Sequence, residues 1–255
     1  MAEKIYNQFI ADIYDISPYF GKGRELIITN YISIFKKYQI KKVLEVGTST
    51  GLLTEAMIKN SIYVDTVDIS LEMQNKAKKR ISNYPKNLIE KVNFINEDIN
   101  NFISKKKYDA IILADSIFFL AEIDKENLLN KCYKLLKTNG IIIFDFFKKS
   151  LNNNISCNKE MTKLKCNNGK YYIIIVEHNN DILKKTHSCN FSYIPVKKYG
   201  ESIINFKICY NYLTKEEVES YFKKYNFKVE IIEEIFGGYQ IFMVVKKVKK
   251  GDSDV

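Results

Sequence analysis

The stretch VLEVGTSTGLLTEAM, residues 43–57, decides how this chain folds. A short apolar run ends in Glu45, two glycines then frame three small polar residues, and a helical pattern begins at Leu52. A strand, a glycine turn and a helix in this order are typical of the first unit of a nucleotide-binding α/β fold. Three functions are open for the turn: it can hold the phosphates of a dinucleotide, present a catalytic serine, or bind another nucleotide-like cofactor.

Strands and helices alternate from residue 43 to about residue 147. YDAIILA, residues 108–114, is nearly all apolar, as expected for a parallel strand that is buried on both faces. The alternation of five such short strands with helices predicts a doubly wound, Rossmann-like sheet. Ser70 is the predicted N-cap of one helix, and Thr214 and Glu217 have the spacing of a capping box.

The pattern changes after residue 150. Three strand-like stretches follow without intervening helices, and HNND at 178–181 is a predicted turn between two of them. A helix and two strands then close the chain, so we predict a small antiparallel β insertion after strand five. The predicted units are an N-terminal helical cap over the cofactor site (1–40), an α/β core (41–150), the insertion (151–213), the closing helix and strands (214–247) and a disordered tail (248–255).

Composition indicates an ordinary globular protein, with 46% hydrophobic and 27% charged residues. The sequence contains neither a signal peptide nor a run of ~18 apolar residues, so we predict a cytoplasmic protein without a membrane partner. The five cysteines lack C-x-x-C spacing, which predicts reduced thiols and no zinc site. The net charge of +10 permits a nucleic-acid partner, but the lysines are scattered, which favours a solvated surface.

The spacing of the glycines separates the three functions of the turn. A dinucleotide turn requires G-x-G-x-x-G, whereas Gly47 and Gly51 lie four residues apart and Glu45 would repel a phosphate. A Walker loop is excluded because no Gly-Lys-Ser/Thr follows. Ser49 lacks the G-x-S-x-G context of a nucleophile, and both histidines lie in the predicted insertion. A cofactor with an amino acid end and a ribose fits better.

Acids stand where the first three predicted strands end, and ligands of open α/β sheets bind at this edge. Glu45 and the amides of the turn are positioned to receive an α-amino acid group. Asp68 is positioned to accept hydrogen bonds from both ribose hydroxyls, and Asp98 to reach an adenine amino group. The apolar residues predicted to enclose the adenine are Ile69, Met73 and Ile99. The ligand that carries all these groups is S-adenosylmethionine.

Six motifs in the same order resemble those of class I S-adenosylmethionine-dependent methyltransferases. They are VLEVGTSTG, VDISLEMQNKAKKRI, NEDI, YDAIILADSIFFL, LLKTNGIIIFDFF, and LTKEEVESYFKKYNFKVEII with FMVVKK. The resemblance spans about residues 6 to 247. It implies a seven-stranded methyltransferase sheet, with S-adenosyl-L-methionine as cofactor and S-adenosyl-L-homocysteine as product.

The N-terminal YNQFIADIYDISPYFGKG resembles the same segment of small-molecule N-methyltransferases, including those that methylate aminosugars. This resemblance implies that the insertion roofs the acceptor pocket, and that Tyr19, or Tyr14 as second choice, contacts the cofactor or the acceptor amine. Tyr19 and Asp115 are the predicted catalytic residues. The remaining predicted cofactor contacts are Tyr14, Arg24, Gly47, Thr48, Ser49, Gly51 and Ala114. The predicted acceptor contacts are Phe118, Phe147 and His178, with Phe146 nearby.

One residue departs from the common motif. Ser49 replaces the middle glycine, so that E-V-G-T-S-T-G is closer to the cation-dependent catechol O-methyltransferases. Those enzymes also need an aspartate pair and an asparagine around strands four and five. Asp115 is one candidate ligand, but no Asp-Asn follows Asp145, so a catalytic metal is not predicted.

The predicted function is in-line transfer of a methyl group to an amine, or a hydroxyl, of a small molecule. Three alternatives stay open: a cation-dependent O-methyltransferase, an RNA or protein methyltransferase, and a protein that binds S-adenosylmethionine without catalysis. The predicted partner is a small-molecule acceptor and not a nucleic acid. The sequence leaves open whether the protein forms a homodimer.

Overall fold

Two β-sheets organise the chain. A computed structural model describes residues 5–21, 24–113, 117–147, 158–196, 202–211, 213–235 and 240–248. The larger sheet has seven strands in the order β10-β11-β5-β4-β1-β2-β3. The pairings among β1 to β5 are parallel, and β11 and β10 add antiparallel strands at one edge. The predicted Rossmann-like methyltransferase sheet is therefore confirmed.

The strands of the seven-stranded sheet have these bounds: β1 Lys42–Val46, β2 Tyr63–Asp68, β3 Val92–Asn96, β4 Tyr108–Leu113, β5 Leu136–Phe147, β10 Phe227–Ile235 and β11 Gln240–Lys247. The α-helices are α1 Gln8–Ile13, α2 Glu25–Lys37, α3 Leu52–Lys59, α4 Leu71–Ile81, α5 Lys86–Ile89, α6 Lys125–Leu135 and α7 Lys215–Lys224. Both predicted caps are confirmed. Ser70 Oγ accepts from Met73 N at the start of α4, and Thr214 and Glu217 form a capping box at the start of α7.

Apolar side chains on both faces of this sheet build two separate cores. On one face α2, α3 and α4 pack against alternate strand residues such as Val43 and Ile112. On the other face α6 and α7 pack against the intervening residues, among them Leu44 and Phe144. Burial on both faces explains why β1 and β4 are almost continuously apolar.

The second sheet, called here the roof sheet, consists of four antiparallel strands, β6 Asn158–Lys165, β7 Tyr171–Asp181, β8 Thr186–Pro195 and β9 Ile204–Asn211. Strand β6 was not among the three predicted stretches, because most of its side chains are exposed and its sequence is polar. The predicted turn at 178–181 is wrong. These residues end β7, which pairs with β8 out to Asp181 and Thr186, so the chain reverses after them.

The N-terminal segment, residues 5–21, lies between the two sheets. Ile10 and Tyr14 pack in one apolar cluster with Met73 of α4 and with Ile174 and Tyr193 of the roof sheet. This segment therefore joins the roof sheet to the carboxyl edge of the larger sheet, where the strands β1 to β3 end.

Within the described ranges, no helix combines the length and the apolar character that crossing a membrane would require.

The glycine turn brings the backbone of β1 and α3 against α4. Gly51 has a left-handed φ of 82°, and a Cβ on it would lie 2.8 Å from the Cβ and 3.0 Å from the Cα of Ala77. A side chain at this position therefore meets both backbone strain and overlap with a helix.

Gly51→Ala should lower the free energy of unfolding by about 1–3 kcal/mol more than Gly169→Ala does. Gly169 is a matched control because its φ is 80° and no neighbouring atom lies within 4 Å of an added Cβ. Urea unfolding of both variants measures the difference. Equal losses would mean that the contact with α4 does not constrain Gly51.

Candidate cofactor and acceptor site

The turn after β1 is held in place by its own backbone. Gly47 N donates to Val67 O of β2 at 2.8 Å, which aligns the turn with the end of the neighbouring strand. Gly47, Ser49 and Gly51 all have positive φ values, of 81°, 49° and 82°. The left-handed backbone at Ser49 explains why the common motif has glycine there, and it shows that serine adopts the same conformation in this chain.

Asp68 at the end of β2 joins the turn to the next helix. Its Oδ2 accepts from Ser49 N at 3.0 Å and its Oδ1 accepts from Ser70 N at 2.8 Å. Burial raises the pKa of this carboxyl group to about 6, against the opposing effect of these amides. Each carboxylate oxygen still has a second lone pair that can accept from a ligand hydroxyl.

A cavity of about 320 Å³, called here the larger cavity, opens beside Asp68. Apolar side chains of Ile69, Met73 and Ile99 line it. Four acidic residues also line it, namely Asp68, Glu97, Asp98 and Glu122, and no lysine or arginine is among the lining residues that the structure describes. In a chain with a net charge of +10 this wall favours a positively charged ligand.

A smaller cavity of about 40 Å³ adjoins the larger one, and Tyr14, Gly47 and Ser49 line both. Arg24 and Glu45 lie in the wall of the smaller cavity. One cation and one carboxyl group in a small space are complementary to the carboxylate and the ammonium group of an α-amino acid.

Glu45 itself is buried beneath the turn. Its Oε2 accepts from Thr54 Oγ1 at 2.5 Å, and burial raises its pKa to about 8. A bound ammonium group would favour the ionised form of this carboxyl group.

The N-terminal segment covers the turn through polar contacts. Ser49 Oγ lies 3.2 Å from Tyr14 Oη, and Ser70 Oγ donates to Tyr6 O at 2.5 Å. The Tyr14 ring stacks on Phe20 with ring centroids 5.4 Å apart. Tyr6 and Tyr14 both line the larger cavity.

Most of the predicted cofactor residues converge on these cavities. Those that line one or both are Tyr14, Arg24, Glu45, Gly47, Thr48, Ser49, Asp68, Ile69, Met73, Asp98 and Ile99. Gly51 lies behind the turn, against α4. Ala114 and Asp115 lie outside the described residues, as does the side chain of Phe147 at the end of β5.

Three other predicted residues lie elsewhere. Phe118 is not a pocket residue, because its side chain is 0% exposed and stacks on Phe222 in the core. Tyr19 packs edge-on against Phe191 of the roof sheet and does not line either cavity. His178 lies in the roof sheet, where its ring stacks on that of His187.

Sequence reasoning missed several residues in the wall of the larger cavity. Glu97 directly precedes the predicted Asp98, so its place at the strand end was a usable signal. Tyr6 and Glu122 had no such signal, since packing of distant segments brings them to the site. Tyr210 of β9 does not line the cavity itself, but it pairs with Leu120, which does.

Comparison with known proteins agrees with this geometry. A family model described as a methyltransferase domain matches residues 43–140. A phosphoethanolamine N-methyltransferase of Plasmodium falciparum is 30% identical over 193 residues, which cover 73% of this chain and 68% of the relative. The chain belongs to the class I S-adenosylmethionine-dependent methyltransferases.

Two further proteins are similar to parts of this chain or to its fold. A malonyl-[acyl-carrier protein] O-methyltransferase of Ilyobacter polytropus is 35% identical over 114 residues, 44% of this chain and 39% of the relative. The chain thus spans about two fifths of the length of that relative. A sugar N-methyltransferase of a Streptoalloteichus species has the same fold, with a TM-score of 0.72, 12% identity and 90% coverage of each chain.

S-adenosylmethionine is the cofactor of this methyltransferase family, and the described residues fit it. The smaller cavity has the charges for the amino acid end, Asp68 has acceptors for a ribose, and apolar residues beside Asp98 suit an adenine. Acidic walls also suit the sulfonium charge.

The affinity for S-adenosylhomocysteine should fall as the pH is lowered through about 6. Asp68 has a pKa of about 6 in the free protein, and its protonation at lower pH removes acceptors that ribose hydroxyls require. Asp68→Asn should weaken binding about 10- to 100-fold at pH 7.5 and flatten the profile near pH 6. Calorimetric titrations between pH 5 and about 8 measure both effects.

Glu90→Gln is the matched control, because Glu90 is an exposed acid that pairs with Lys86 across one helical turn. It should bind as the wild type does at every pH. If Asp68→Asn bound S-adenosylhomocysteine with wild-type affinity, Asp68 would not be part of the cofactor site.

Proposed function

We propose that this chain transfers a methyl group from S-adenosylmethionine to the amine of a small molecule. The observation that carries the proposal is the larger cavity, whose wall has four carboxyl groups and no described basic residue. Such a wall attracts an acceptor that carries an amine and repels the phosphates of a nucleic acid. The proposed cofactor contacts are the predicted residues that line the two cavities.

When bound, the cofactor supplies an electrophilic methyl group on a sulfonium leaving group. The task of the protein is to hold the acceptor atom in line with that methyl group and to exclude water. The N-terminal segment and the roof sheet provide the cover, through the apolar cluster that joins them to Met73. Carboxylates around the cavity stabilise the positive charge of the cofactor and of the methylated amine.

Tyr14 is our choice for the residue that orients the acceptor, in place of Tyr19. The Tyr14 hydroxyl lies 3.2 Å from Ser49 Oγ of the glycine turn, and Tyr14 lines both cavities, whereas Tyr19 packs against the roof sheet. Burial raises the pKa values of both Tyr14 and Tyr6 to about 12. These phenols therefore stay protonated at neutral pH and act as hydrogen-bond partners of the amine, not as its base.

The acceptor class follows from the charge of the site and from the relatives. Proteins similar to this one are named for N-methylation of phosphoethanolamine and of a sugar. Both acceptors are small and polar and carry the methylated nitrogen. We propose an aminosugar or a similarly sized amino compound. We also propose a cytoplasmic location, since the cysteines in the described ranges form no disulfide.

Methyl transfer to a panel of small amines and aminosugars, with their hydroxyl analogues and bulk tRNA as controls, tests the proposal. We expect product with an amine, no product with the hydroxyl analogue or tRNA, and no effect of EDTA. The value of kcat/KM should rise with pH as the amine loses its proton, because the site relies on a neutral nucleophile. Loss of activity in EDTA, or product with tRNA alone, would overturn the proposal.

Tyr14→Phe should lower kcat about 10- to 100-fold and leave the affinity for S-adenosylhomocysteine within about threefold. The variant keeps the stacked ring on Phe20 and removes only the hydroxyl. Tyr63→Phe is the matched control, because that ring is 54% exposed on the outer surface. Steady-state kinetics of the two variants measure the effect. If kcat were unchanged in Tyr14→Phe, Tyr14 would not orient the acceptor, and Tyr19 would again be the candidate for that role.

A further inference from the structure

Three potential metal ligands converge on the face of the roof sheet that covers the N-terminal segment. His178 Nδ1 lies 3.2 Å from His187 Nε2, and Cys189 Sγ lies 3.1 Å from His187 Nε2 and 3.5 Å from His178 Nδ1. Neither histidine nor this cysteine has a role in the proposed methyl transfer. The chain contains two histidines in total, and both belong to this cluster.

The register between β7 and β8 brings these three side chains together. His187 and Cys189 are two residues apart on β8, so their side chains point to the same face. His178 of β7 is directly opposite Cys189. Ligands on paired strands are held more rigidly than ligands on loops, which favours a defined coordination geometry.

Each imidazole ring has one nitrogen that faces the other two ligands and one, called here the outer nitrogen, that faces away from them. An oxygen atom lies near each outer nitrogen. His187 Nδ1 lies 2.7 Å from Asn180 Oδ1, and His178 Nε2 lies 3.5 Å from Glu160 Oε1. When His187 Nδ1 donates to Asn180, His187 Nε2 keeps its lone pair, which is directed into the cluster, and metal-ligating histidines almost always have such an arrangement. The contact of His178 Nε2 with Glu160 is an ion-pair distance and places a negative charge beside the cluster.

We propose that His178 Nδ1, His187 Nε2 and Cys189 Sγ bind one Zn²⁺ ion. Zinc–nitrogen distances of about 2.0–2.1 Å and a zinc–sulfur distance of about 2.3 Å place tetrahedral donors about 3.3–3.6 Å apart. The three observed separations are within a few tenths of an ångström of these values. Imidazole and thiolate together favour zinc over calcium or magnesium, which prefer oxygen ligands.

Charge and surroundings are compatible with the ion. Binding releases the proton of the Cys189 thiol to solvent, so that one thiolate and the nearby Glu160 carboxylate balance the two positive charges of Zn²⁺. His187 and Cys189 are buried, at 6% and 8% exposure, among apolar neighbours such as Val176 and Ile208. A divalent cation can bind the two nitrogen atoms and the sulfur atom of the cluster at the same time. The thiol proton, in contrast, can form a hydrogen bond with only one of the two nitrogen atoms at a time.

One residue connects the cluster with the wall of the larger cavity. Tyr210 of β9 is directly opposite His187 and also pairs with Leu120 in the wall of the larger cavity. Three protein ligands leave a fourth coordination position for water. Zinc binding itself does not depend on the proposed methyl transfer and is tested without it.

Cobalt substitutes for zinc and reports its ligands by absorption. The full chain, carrying no polyhistidine tag and stripped of metal under reducing conditions, is titrated with Co²⁺ and then with Zn²⁺. We expect one Co²⁺ per chain, visible bands of a tetrahedral site, a thiolate-to-cobalt charge-transfer band in the near ultraviolet, and displacement by Zn²⁺.

Cys189→Ser should abolish the charge-transfer band and weaken Zn²⁺ binding about 100-fold or more, and Glu160→Gln should weaken it about 10-fold. Cys209→Ser is the matched control, because Cys209 is on the neighbouring strand, opposite Ser188 and on the other face of the sheet. It should bind as the wild type does. If Cys189→Ser does not fold, His187→Gln provides the second ligand variant, with circular dichroism as the check of its fold.

Absence of stoichiometric binding by the wild type would show a hydrogen-bonded cluster only and would overturn the proposal. Retention of the charge-transfer band in Cys189→Ser, or its loss in Cys209→Ser, would overturn it as well. Methyl transfer can succeed or fail in either case, so the two proposals are separated by these readouts.

Discussion

The carboxylate of Asp68 is the interaction on which the site depends. It accepts from the amides of Ser49 and Ser70, and so connects the glycine turn after β1 with the start of α4. Burying a carboxylate is costly unless hydrogen bonds compensate, and here the backbone supplies them. The remaining cost appears as a pKa of about 6, and a ligand with hydroxyl donors recovers part of it by favouring the ionised form.

The two sheets contribute different parts of the site. The parallel sheet places its strand ends, its glycine turn and its acids around the cofactor. The roof sheet places aromatic and polar side chains above them, and the N-terminal segment packs between the two through Ile10 and Tyr14. In the proposed function, cofactor binding and acceptor choice are therefore assigned to different elements, an arrangement that lets one fold serve many acceptors.

Local charge in this protein is opposite to its overall charge. The net charge of +10 comes from lysines spread through the sequence, whereas the larger cavity is lined by carboxyl groups. A ligand responds to the potential of the wall that it touches, because charges more than about 8–10 Å away are largely screened at physiological ionic strength. The overall charge is thus a weak guide to the partner.

The sequence by itself determined the sheet, the turn and the acids Glu45, Asp68 and Asp98, because periodicity and strand ends are local signals and parallel strands bring their ends to one edge. It could not determine which N-terminal tyrosine reaches the turn, or that Phe118 belongs to the core. Strand β6 was not predicted, because an exposed edge strand lacks an apolar pattern. Only the tertiary structure brought His178, His187 and Cys189 together, since their meeting depends on the register between β7 and β8 and not on any spacing along the chain.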